Sequence, residues 1–558
     1  MSDERFKKLI AVLIAVVTVI AAILAQLQAE AGNRDDRANR DSKRASVEAF
    51  GLQIRGSTQA NYHYFTAFEQ YRELETLSEA AEKRHDSKAA ERYGAMRDRL
   101  LDTSPLLSGK DKKGKAYFDS ENEYEPDLAR FESDSYYVQV QNLIQNFKAA
   151  SKVKDGWDYK ANSYIFHLTL LAVSLFLFGL AATIATAATR MVFTFSGLGI
   201  TAAAVLAAVQ VYLTPVPDLR TRNGAIEHYS EGMGLVHQEL QKESIAEFDQ
   251  AIAAAPEFSD AYLERGRAYL YMETPELSKA LDDLKKAFEL DPSNSSLYTE
   301  LSWCQYLLGD FAESIKTCQI GLQDRPDNLQ LVFQLALNQL VSGQDKEARE
   351  TYQKGLDAAA ALVAEAAQKK EEAPSQIIAN LDEGSRMLDD LGRVLEEKKG
   401  NPAPDKIKGK TEALAKACEE LSNQLASYEL SLDSTGKPPQ GKLTAKVEVT
   451  GFQDTSGKTP KDPGEGDVFK GSPAQITLNF DFEGMKKGQK VVYRTFKDGE
   501  ELESWRWEET WTEEGAGSWE EPLYPEYSES FRFEPGEYYV EVFVDYHLAG
   551  YGNFQVEE

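Results

Sequence analysis

Three long stretches without a charged side chain constrain this sequence more than any other feature. They run over Leu9–Ala29, Ala161–Thr189 and Met191–Pro217. A helix needs about 20 apolar residues to cross a bilayer, and each stretch is long enough. Because only Arg190 separates the second stretch from the third, these two predict a tight transmembrane helical hairpin. The sequence therefore predicts a multi-pass membrane protein whose first partner is the lipid bilayer.

Weaker signals in the sequence indicate on which side of the membrane the N-terminus and the large domains lie. Positive charges in short loops favour the cytoplasmic side, which places the N-terminus inside and residues 30–160 and 218–558 outside the cytoplasm, in a bacterial envelope. A count of all cations near the spans favours the alternative, with the large domains in the cytoplasm. The cations behind this alternative include Arg34, Arg37, Arg40, Lys43 and Arg44. Ala29-Glu30-Ala31 also fits a leader cleavage site, although the apolar run is typical of an uncleaved anchor.

Residues 1–29 form the tail and first span, and residues 30–160 keep helical spacing between the first two stretches. They predict an extramembrane helical hairpin whose arms continue into the spans, followed by the transmembrane hairpin over 161–217. An aromatic stripe on the first arm is either the seam between the arms or a partner surface. The stripe consists of Tyr62, Tyr64, Phe65, Phe68 and Tyr71.

From residue 225 an internal repeat begins. Similar segments end at Pro256, Pro292 and Pro326, which are 36 and 34 residues apart, and a fourth copy lacks the proline. Small residues recur in the first helix of each copy, at Gly232, Gly266, Ser302 and Ala336. The segments "Phe-Asp-Gln-Ala-Ile" and "Ala-Phe-Glu-Leu-Asp-Pro" make the repeat resemble the tetratricopeptide repeat (TPR) family. The resemblance implies an all-α solenoid of about four helical hairpins over 218–360.

In the TPR family, defined positions of each first helix line a concave groove that binds a protein partner. Carried over by register, they imply a largely aromatic groove with one prominent cation. The implied residues are Tyr229, Met233, Arg267, Tyr271, Trp303, Tyr306, Phe333 and Leu337. The alternative is that some of these aromatic side chains pack against the following helices.

Residues 361–432 are predicted to form amphipathic helices that cap the solenoid. One of them has a heptad-like seam from Leu414 to Leu432, so self-association into a homo-oligomer is a second possibility. Residues 433–442, rich in Gly, Pro and Ser, predict a linker.

The C-terminal residues 443–558 change to the pattern of short strands separated by Gly and Pro. Seven strands are predicted, over Lys442–Thr450, Ala474–Phe482, Lys490–Phe496, Glu500–Trp507, Ser528–Phe533, Tyr538–Tyr546 and Gly550–Val556. They indicate an all-β sandwich, and the ending "Pro-Gly-Glu-Tyr-Tyr-Val-Glu-Val-Phe-Val-Asp" resembles immunoglobulin-like domains of bacterial surface proteins. Four tryptophans lie among glutamates and form either a ligand face or a partly buried row. They are Trp505, Trp507, Trp511 and Trp519.

Charge and motifs exclude several functions. The 558-residue chain has 62 basic and 91 acidic residues and a net charge of −29, which excludes nucleic-acid binding as its main role. Three cysteines and six scattered histidines give no metal-ligand spacing, and no phosphate loop or nucleophile motif occurs. We therefore expect no enzyme activity, no cofactor, no metal site and no catalytic residue.

The sequence thus favours a non-catalytic, membrane-anchored scaffold that recruits a protein partner through a TPR groove. One alternative is a cell-surface receptor or adhesion component that binds an envelope ligand or glycan through the sandwich. A further alternative is an accessory subunit of a larger membrane complex.

Overall fold

The chain folds into two compact units, Met1–Asp291 and Pro292–Glu558. The computed structural model describes residues 3–119, 125–369, 375–408, 411–457, 459–464, 467–523 and 532–557.

The described part of the first unit is helical. Its α-helices are α1 (Asp3–Asn61), α2 (Glu69–Lys83), α3 (Ser87–Thr103), α4 (Pro105–Ser108), α5 (Leu128–Glu132), α6 (Val138–Thr183), α7 (Ala187–Leu213), α8 (Ala225–His237), α9 (Gln241–Ala254), α10 (Ser259–Tyr271) and α11 (Leu277–Leu290). Two π-helical segments, Tyr62–Phe68 and Ser133–Tyr137, join α1 to α2 and α5 to α6 without a break. A short 3-10 turn at Leu219–Thr221 precedes α8.

Helices α1 and α6 pack antiparallel along most of their length. The residues of α1 that face inward recur every seventh position, which is the spacing of a coiled-coil seam. They are Ile10, Val17, Leu24, Ala31, Ala38 and Ala45. Beyond Leu24 every member is alanine, and Gly56 continues the inner face where the ring of Tyr136 leaves no room for a side chain. Small residues therefore allow close approach of α6 outside the apolar segment.

Three helical stretches, Asp3–Lys83, Leu128–Thr183 and Ala187–Leu213, are long and apolar enough to cross a membrane. The turn between the second and third differs from the expected position, because α6 ends at Thr183 and α7 begins at Ala187. Arg190 lies in the first turn of α7, where its guanidinium pairs with Asp3 at 2.5 Å. Membrane insertion itself stays a prediction.

The predicted TPR-like helix pairs are present. Helices α8/α9 and α10/α11 form two pairs in the first unit. The second unit begins with two more pairs, α12 (Ser296–Leu308) with α13 (Phe311–Asp324) and α14 (Leu329–Val341) with α15 (Asp345–Lys369). The small residues are required by close packing, since a Cβ on Gly232 would lie 2.7 Å from the ring of Phe248. The sequence pattern therefore reports the packing inside each pair correctly.

Two further helices of the second unit, α16 (Ser375–Glu397) and α17 (Thr411–Thr435), pack against the same core as α14. Helix α17 extends to Thr435, so residues 433–435 of the predicted linker are helical.

The C-terminal region contains two sheets that share one aromatic core. One sheet has the order β1-β3-β7, and the other has the order β2-β9-β8-β4-β5 with β6 paired to β4. The strands are β1 (Lys446–Asp454), β2 (Val468–Lys470), β3 (Ile476–Met485), β4 (Lys490–Lys497), β5 (Glu500–Glu501), β6 (Trp507–Thr510), β7 (Gly515–Pro522), β8 (Gly536–Val544) and β9 (His547–Glu557). The immunoglobulin-like assignment stays a prediction.

The strands differ from the expected set at several places, and β1 begins at Lys446 and not at Lys442. The single strand predicted over Glu500–Trp507 is divided by a 3-10 turn at Glu503–Trp505. Strands β2 and β7 were not predicted, because β2 has three residues and β7 is an exposed segment rich in Gly and Glu. Residues 528–531 of the strand predicted over Ser528–Phe533 lie outside the described residues.

The sheet region is fastened to α17 by a buried charge cluster. Arg494 on β4 donates two hydrogen bonds to Glu429 of α17, at 3.0 and 3.1 Å, and pairs with Glu501 at 2.7 Å. Glu541 on β8 lies 3.4 Å from the same guanidinium. Three carboxylates thus share one arginine in a desolvated site. Burial raises the pKa of Glu541 to about 8, opposed by Arg494 and reinforced by the charges of Glu429, Glu501 and Asp389.

This cluster predicts a pH-dependent stability of the second unit. The pKa of Glu541 is about 4.5 in the unfolded chain and about 8 in the folded one. Between these values the folded state binds a proton that the unfolded state has lost, so the contribution of Glu541 to the free energy of unfolding falls as pH rises. Glu541→Gln should raise the thermal midpoint of the full chain over wild type at pH 8.5 and much less at pH 5. Glu537→Gln, an exposed glutamate on the same strand, is the control. Equal effects of Glu541→Gln at both pH values would contradict the prediction.

Candidate functional site

The predicted groove residues lie on two helix faces, one in each unit. The first face belongs to α8 and α10, which carry Tyr229, Met233, Arg267 and Tyr271. The second belongs to α12 and α14, which carry Trp303, Tyr306, Phe333 and Leu337.

Helix α6 and the π-helical segment before it lie across the inner face of α8. The ring of Tyr137 stacks on His237 with centroids 4.3 Å apart. The imidazole Nε2 of His237 is 2.9 Å from Glu132, and this hydrogen bond holds the pKa of Glu132 below its usual value. Aromatic stacking and a charge-assisted hydrogen bond thus fix the end of α8 to the chain that leads into α6.

The backbones also approach closely at this contact. The hydroxyl of Ser133 donates to the carbonyl oxygen of Gly234 at 3.1 Å. A Cβ at Gly234 would lie 2.5 Å from Val138 and 2.6 Å from the Ser133 hydroxyl. Only glycine fits at this position, so Gly234 serves the contact with α6 and not the helix pair α8/α9.

Three polar side chains extend the contact along α6. Gln145 donates to Asp260 at 3.0 Å, Lys148 pairs with the same carboxylate at 2.6 Å, and Lys152 pairs with Asp291 at 2.7 Å. The spacing of three and four residues places all three on one face of α6. Exposed ion pairs contribute little, but Asp260 is largely buried and its two partners are both on α6. The pairs therefore set the register of α6 on the repeats.

The first-unit residues of the predicted groove differ in exposure. Tyr229 is buried against Phe248 and Phe258, and burial raises its pKa well above the ordinary value. Met233 is partly buried in the same cluster.

The other two residues of this face lie nearer the solvent. Arg267 pairs with Glu264 at 2.9 Å, and the side chain of Tyr271 is 53% exposed. Arg267 and Tyr271 thus keep part of their surface exposed, whereas Tyr229 is covered within the chain.

In the second unit, α16 covers the inner face of α14. Phe333 and Leu337 are fully buried in one core with Leu381, Leu388 and Leu425. A Cβ at Gly384 of α16 would lie 3.2 Å from the ring of Phe333. The helices predicted to cap the end of the solenoid therefore fill the position that the resemblance assigns to a partner.

One cavity remains open beside this covered face. Trp303 stacks on the buried Tyr306 with ring centroids 5.0 Å apart. The indole lines a cavity of about 280 Å³ between α12, α16 and the loop after α16. Its apolar wall consists of Trp303, Leu307, Met387 and Val394, and its rim carries Asp390, Arg393, Glu397 and Lys399. The cavity has the size of a single bulky side chain with polar groups at its entrance.

The four tryptophans of the sheet region lie mainly inside it. Trp511 and Trp505 are buried in the core, whereas Trp507 and Trp519 are partly buried. Trp507 stacks on Tyr493 at 4.7 Å, and the indole N–H of Trp519 donates to Glu521 at 2.8 Å. The partly buried row is therefore what the structure shows, and a ligand reaches Trp505 or Trp511 only after the sheets rearrange.

Candidate metal ligands and thiols can be compared across the described residues. Within them no group of three or more His, Cys, Asp or Glu side chains is arranged to hold a metal ion. All three cysteines are buried, and burial raises the pKa of Cys318 to about 11 and that of Cys418 to about 12. Thiols with such pKa values are not nucleophilic at neutral pH.

The sequence predicted helices α6 and α16, but it did not predict that they cover the inner faces of α8 and α14. In α6 the signal was available as the spacing of Gln145, Lys148 and Lys152, which lie on one face. Acidic residues at Asp260 and Asp291 provide the complementary charges. Nothing in the sequence joins these residues across more than 100 positions, so only the structure shows the match.

The comparisons with known proteins support the TPR assignment over part of the chain. Over 108 residues the chain is 29% identical to the Hsp70-Hsp90 organizing protein of Triticum aestivum, covering 19% of this chain and 18% of that protein. Over 107 residues it is 34% identical to the Protein STIP1 homolog of Dictyostelium discoideum, covering 19% of each. The chain thus matches less than a fifth of the length of these curated relatives. No family model matches it.

Solved structures with similar helices include MamA of AMB-1 and YrrB, a TPR protein with an unusual peptide-binding site. MamA is 21% identical, with a TM-score of 0.23, and the match covers 29% of this chain and 90% of MamA. YrrB is 18% identical, with a TM-score of 0.23, and the match covers 32% of this chain and 94% of YrrB.

The burial of the groove residues predicts which substitutions lower the stability of the chain. Phe333→Ala removes a fully buried ring and should lower the free energy of unfolding by about 3–5 kcal/mol. Tyr271→Ala, a truncation of an exposed ring, should leave it nearly unchanged. Both are measured by thermal and denaturant unfolding of the full chain. A stable Phe333→Ala variant would show that α16 does not depend on this ring.

Proposed function

We propose that this protein is a non-catalytic, membrane-anchored scaffold that binds a protein partner through its TPR-like repeats. The main support is α6, one unbroken helix that contacts α8 and α10 near its start and is apolar enough near its end to cross a bilayer. The repeats of the first unit are thus attached directly to a candidate membrane span. The similarity to Hsp70-Hsp90 organizing proteins supports a role in protein–protein interaction.

We place partner binding at the predicted groove residues whose side chains keep some exposure to solvent. In the second unit this is the cavity beside Trp303, where an apolar side chain of the partner would stack on the indole and polar groups would contact the rim. In the first unit it is the surface around Arg267 and Tyr271. Tyr229, Tyr306, Phe333 and Leu337 then support these surfaces from inside and do not contact the partner.

The test is capture by the full chain, solubilised from its native membrane with a mild detergent. Trp303→Ala should reduce recovery of specifically bound proteins at least tenfold, because one buried aromatic anchor carries much of the energy of an interface. Ile320→Ala, which truncates an exposed side chain of α13, is the matched control. The proposal fails if wild type, Trp303→Ala and Ile320→Ala recover the same proteins in the same amounts.

We further propose that residues 30–160 and 218–558 lie outside the cytoplasm. The support is that Arg5, Lys7 and Lys8 in the short N-terminal tail and Arg190 beside the short hairpin turn are the cations that such short segments keep on the cytoplasmic side. Protease added to intact cells, with any outer membrane permeabilised, should remove the sheet region. Cleavage only after lysis would place these segments in the cytoplasm.

A further inference from the structure

An apolar stripe is exposed on α1 and the π-helical segment beyond it, outside the candidate membrane span. The exposed fractions of its side chains are 72% for Val47, 70% for Phe50, 50% for Ile54, 57% for Tyr62 and 65% for Phe65. We call these five residues the α1 stripe. The other aromatic residues predicted in this region are covered, since Phe68 and Tyr71 pack edge-on against Phe118 and Tyr64 is partly buried.

The α1 stripe lies on the side of the helix that faces away from α6. The opposite side, with Ala45, Ala49 and Gly56, is buried. Lipid does not cover the stripe either. The apolar stretch ends at Ala29, and the 18 residues from there to Val47 correspond to about 27 Å of helix. Five large apolar side chains in a row at such a position mark an interaction surface.

We propose that the α1 stripe pairs with the α1 stripe of a second copy of this chain. The proposal rests on the membrane insertion of α1 under the proposed function, because insertion makes the two copies parallel and holds them at the same height. Each stripe residue then lies beside its own counterpart. Val47, Phe50 and Ile54 are three and four residues apart, which is the spacing at which two parallel helices interlock.

The charges around the α1 stripe suit an identical partner. Between Arg44 and Glu69 the helix carries two charged residues, Glu48 and Arg55. At about 100° of rotation per residue, both lie on the same flank of the helix, about 80–100° around the helix axis from Val47. In a two-fold parallel pair this flank faces the other flank of the copy, where Gln53 and Ser57 are uncharged. An in-register copy therefore meets no like charge along the stripe.

Repulsion between identical cations limits the length of the contact. Arg40, Lys43 and Arg44 lie on the stripe side immediately before Val47, and a second copy would set the same cations against them. Arg44 is compensated by Glu48 at 2.7 Å. The paired segment therefore begins at Val47, and the two α1 helices diverge towards the bilayer.

The test is disulfide crosslinking of full-length chains in native membranes. Val47→Cys and Ile54→Cys should each give a species of twice the 62.3 kDa chain under mild oxidation, because a disulfide requires Cα atoms within about 7 Å. Gln59→Cys, an exposed residue on the flank of the same helix, is the control and should give at least fivefold less. The three native cysteines are buried and do not compete.

Each outcome decides the question. Crosslinks at 47 and 54 but not at 59 support the paired stripe. Absence of crosslinks at 47 and 54, equal crosslinking at 59, or crosslinks only to a chain of different mass would overturn it. The double variant Val47→Glu/Phe50→Glu should convert the dimer to a monomer in detergent with an unchanged melting curve. Recovery of the chain in the soluble fraction would overturn the proposed anchoring, while crosslinks in that fraction would still support pairing.

Discussion

The first unit depends on α6 contacting two surfaces at once. On one side α1 presents a residue every seventh position, and on the other α8 presents Gly234 and His237. Asp260 of α10 and Asp291 after α11 extend this second surface. Both surfaces require close approach, as the alanines of α1 and the glycine of α8 show. A rotation of α6 about its axis would lose both contacts together. Within the first unit, the two repeats and the helical hairpin are therefore held in one arrangement by a shared helix and not by a flexible connection.

The second unit uses α17 in a comparable way. One side of α17 packs with α14 and α16 through Leu414, Leu421 and Leu425, and the other side meets the sheet through Leu430 and Glu429. Buried ion pairs are poor sources of net stability, but removal of one partner is costly because it leaves an unpaired charge in a dry site. The charge cluster therefore selects one register of the sheet on the helix, while the apolar contacts provide most of the stability.

The sequence was informative wherever the contacts are local. The small residues and prolines of the repeats indicate packing between neighbouring helices, and the β-branched side chains of the strands indicate a buried face of each sheet. It was uninformative where distant segments meet. Phe333 and Leu337 read as groove residues by register, but their burial depends on α16, which begins more than 30 residues later. Likewise, Lys148 and Lys152 of α6 pair with Asp260 and Asp291, which lie more than 100 positions further along the chain.

Because α6 is one continuous helix, a tilt at one end displaces its other end. The helix has 46 residues and contains no proline, so it is about 69 Å long and has no site of the kind that usually produces a sharp kink. In the proposed orientation its apolar end lies in the bilayer and its other end holds α8. A change of roughly 10° in the tilt of the apolar end would move the far end by about 12 Å at this length. In that proposed orientation, membrane thickness and lateral pressure would act directly on the position of the first repeats, without a separate segment to transmit the change.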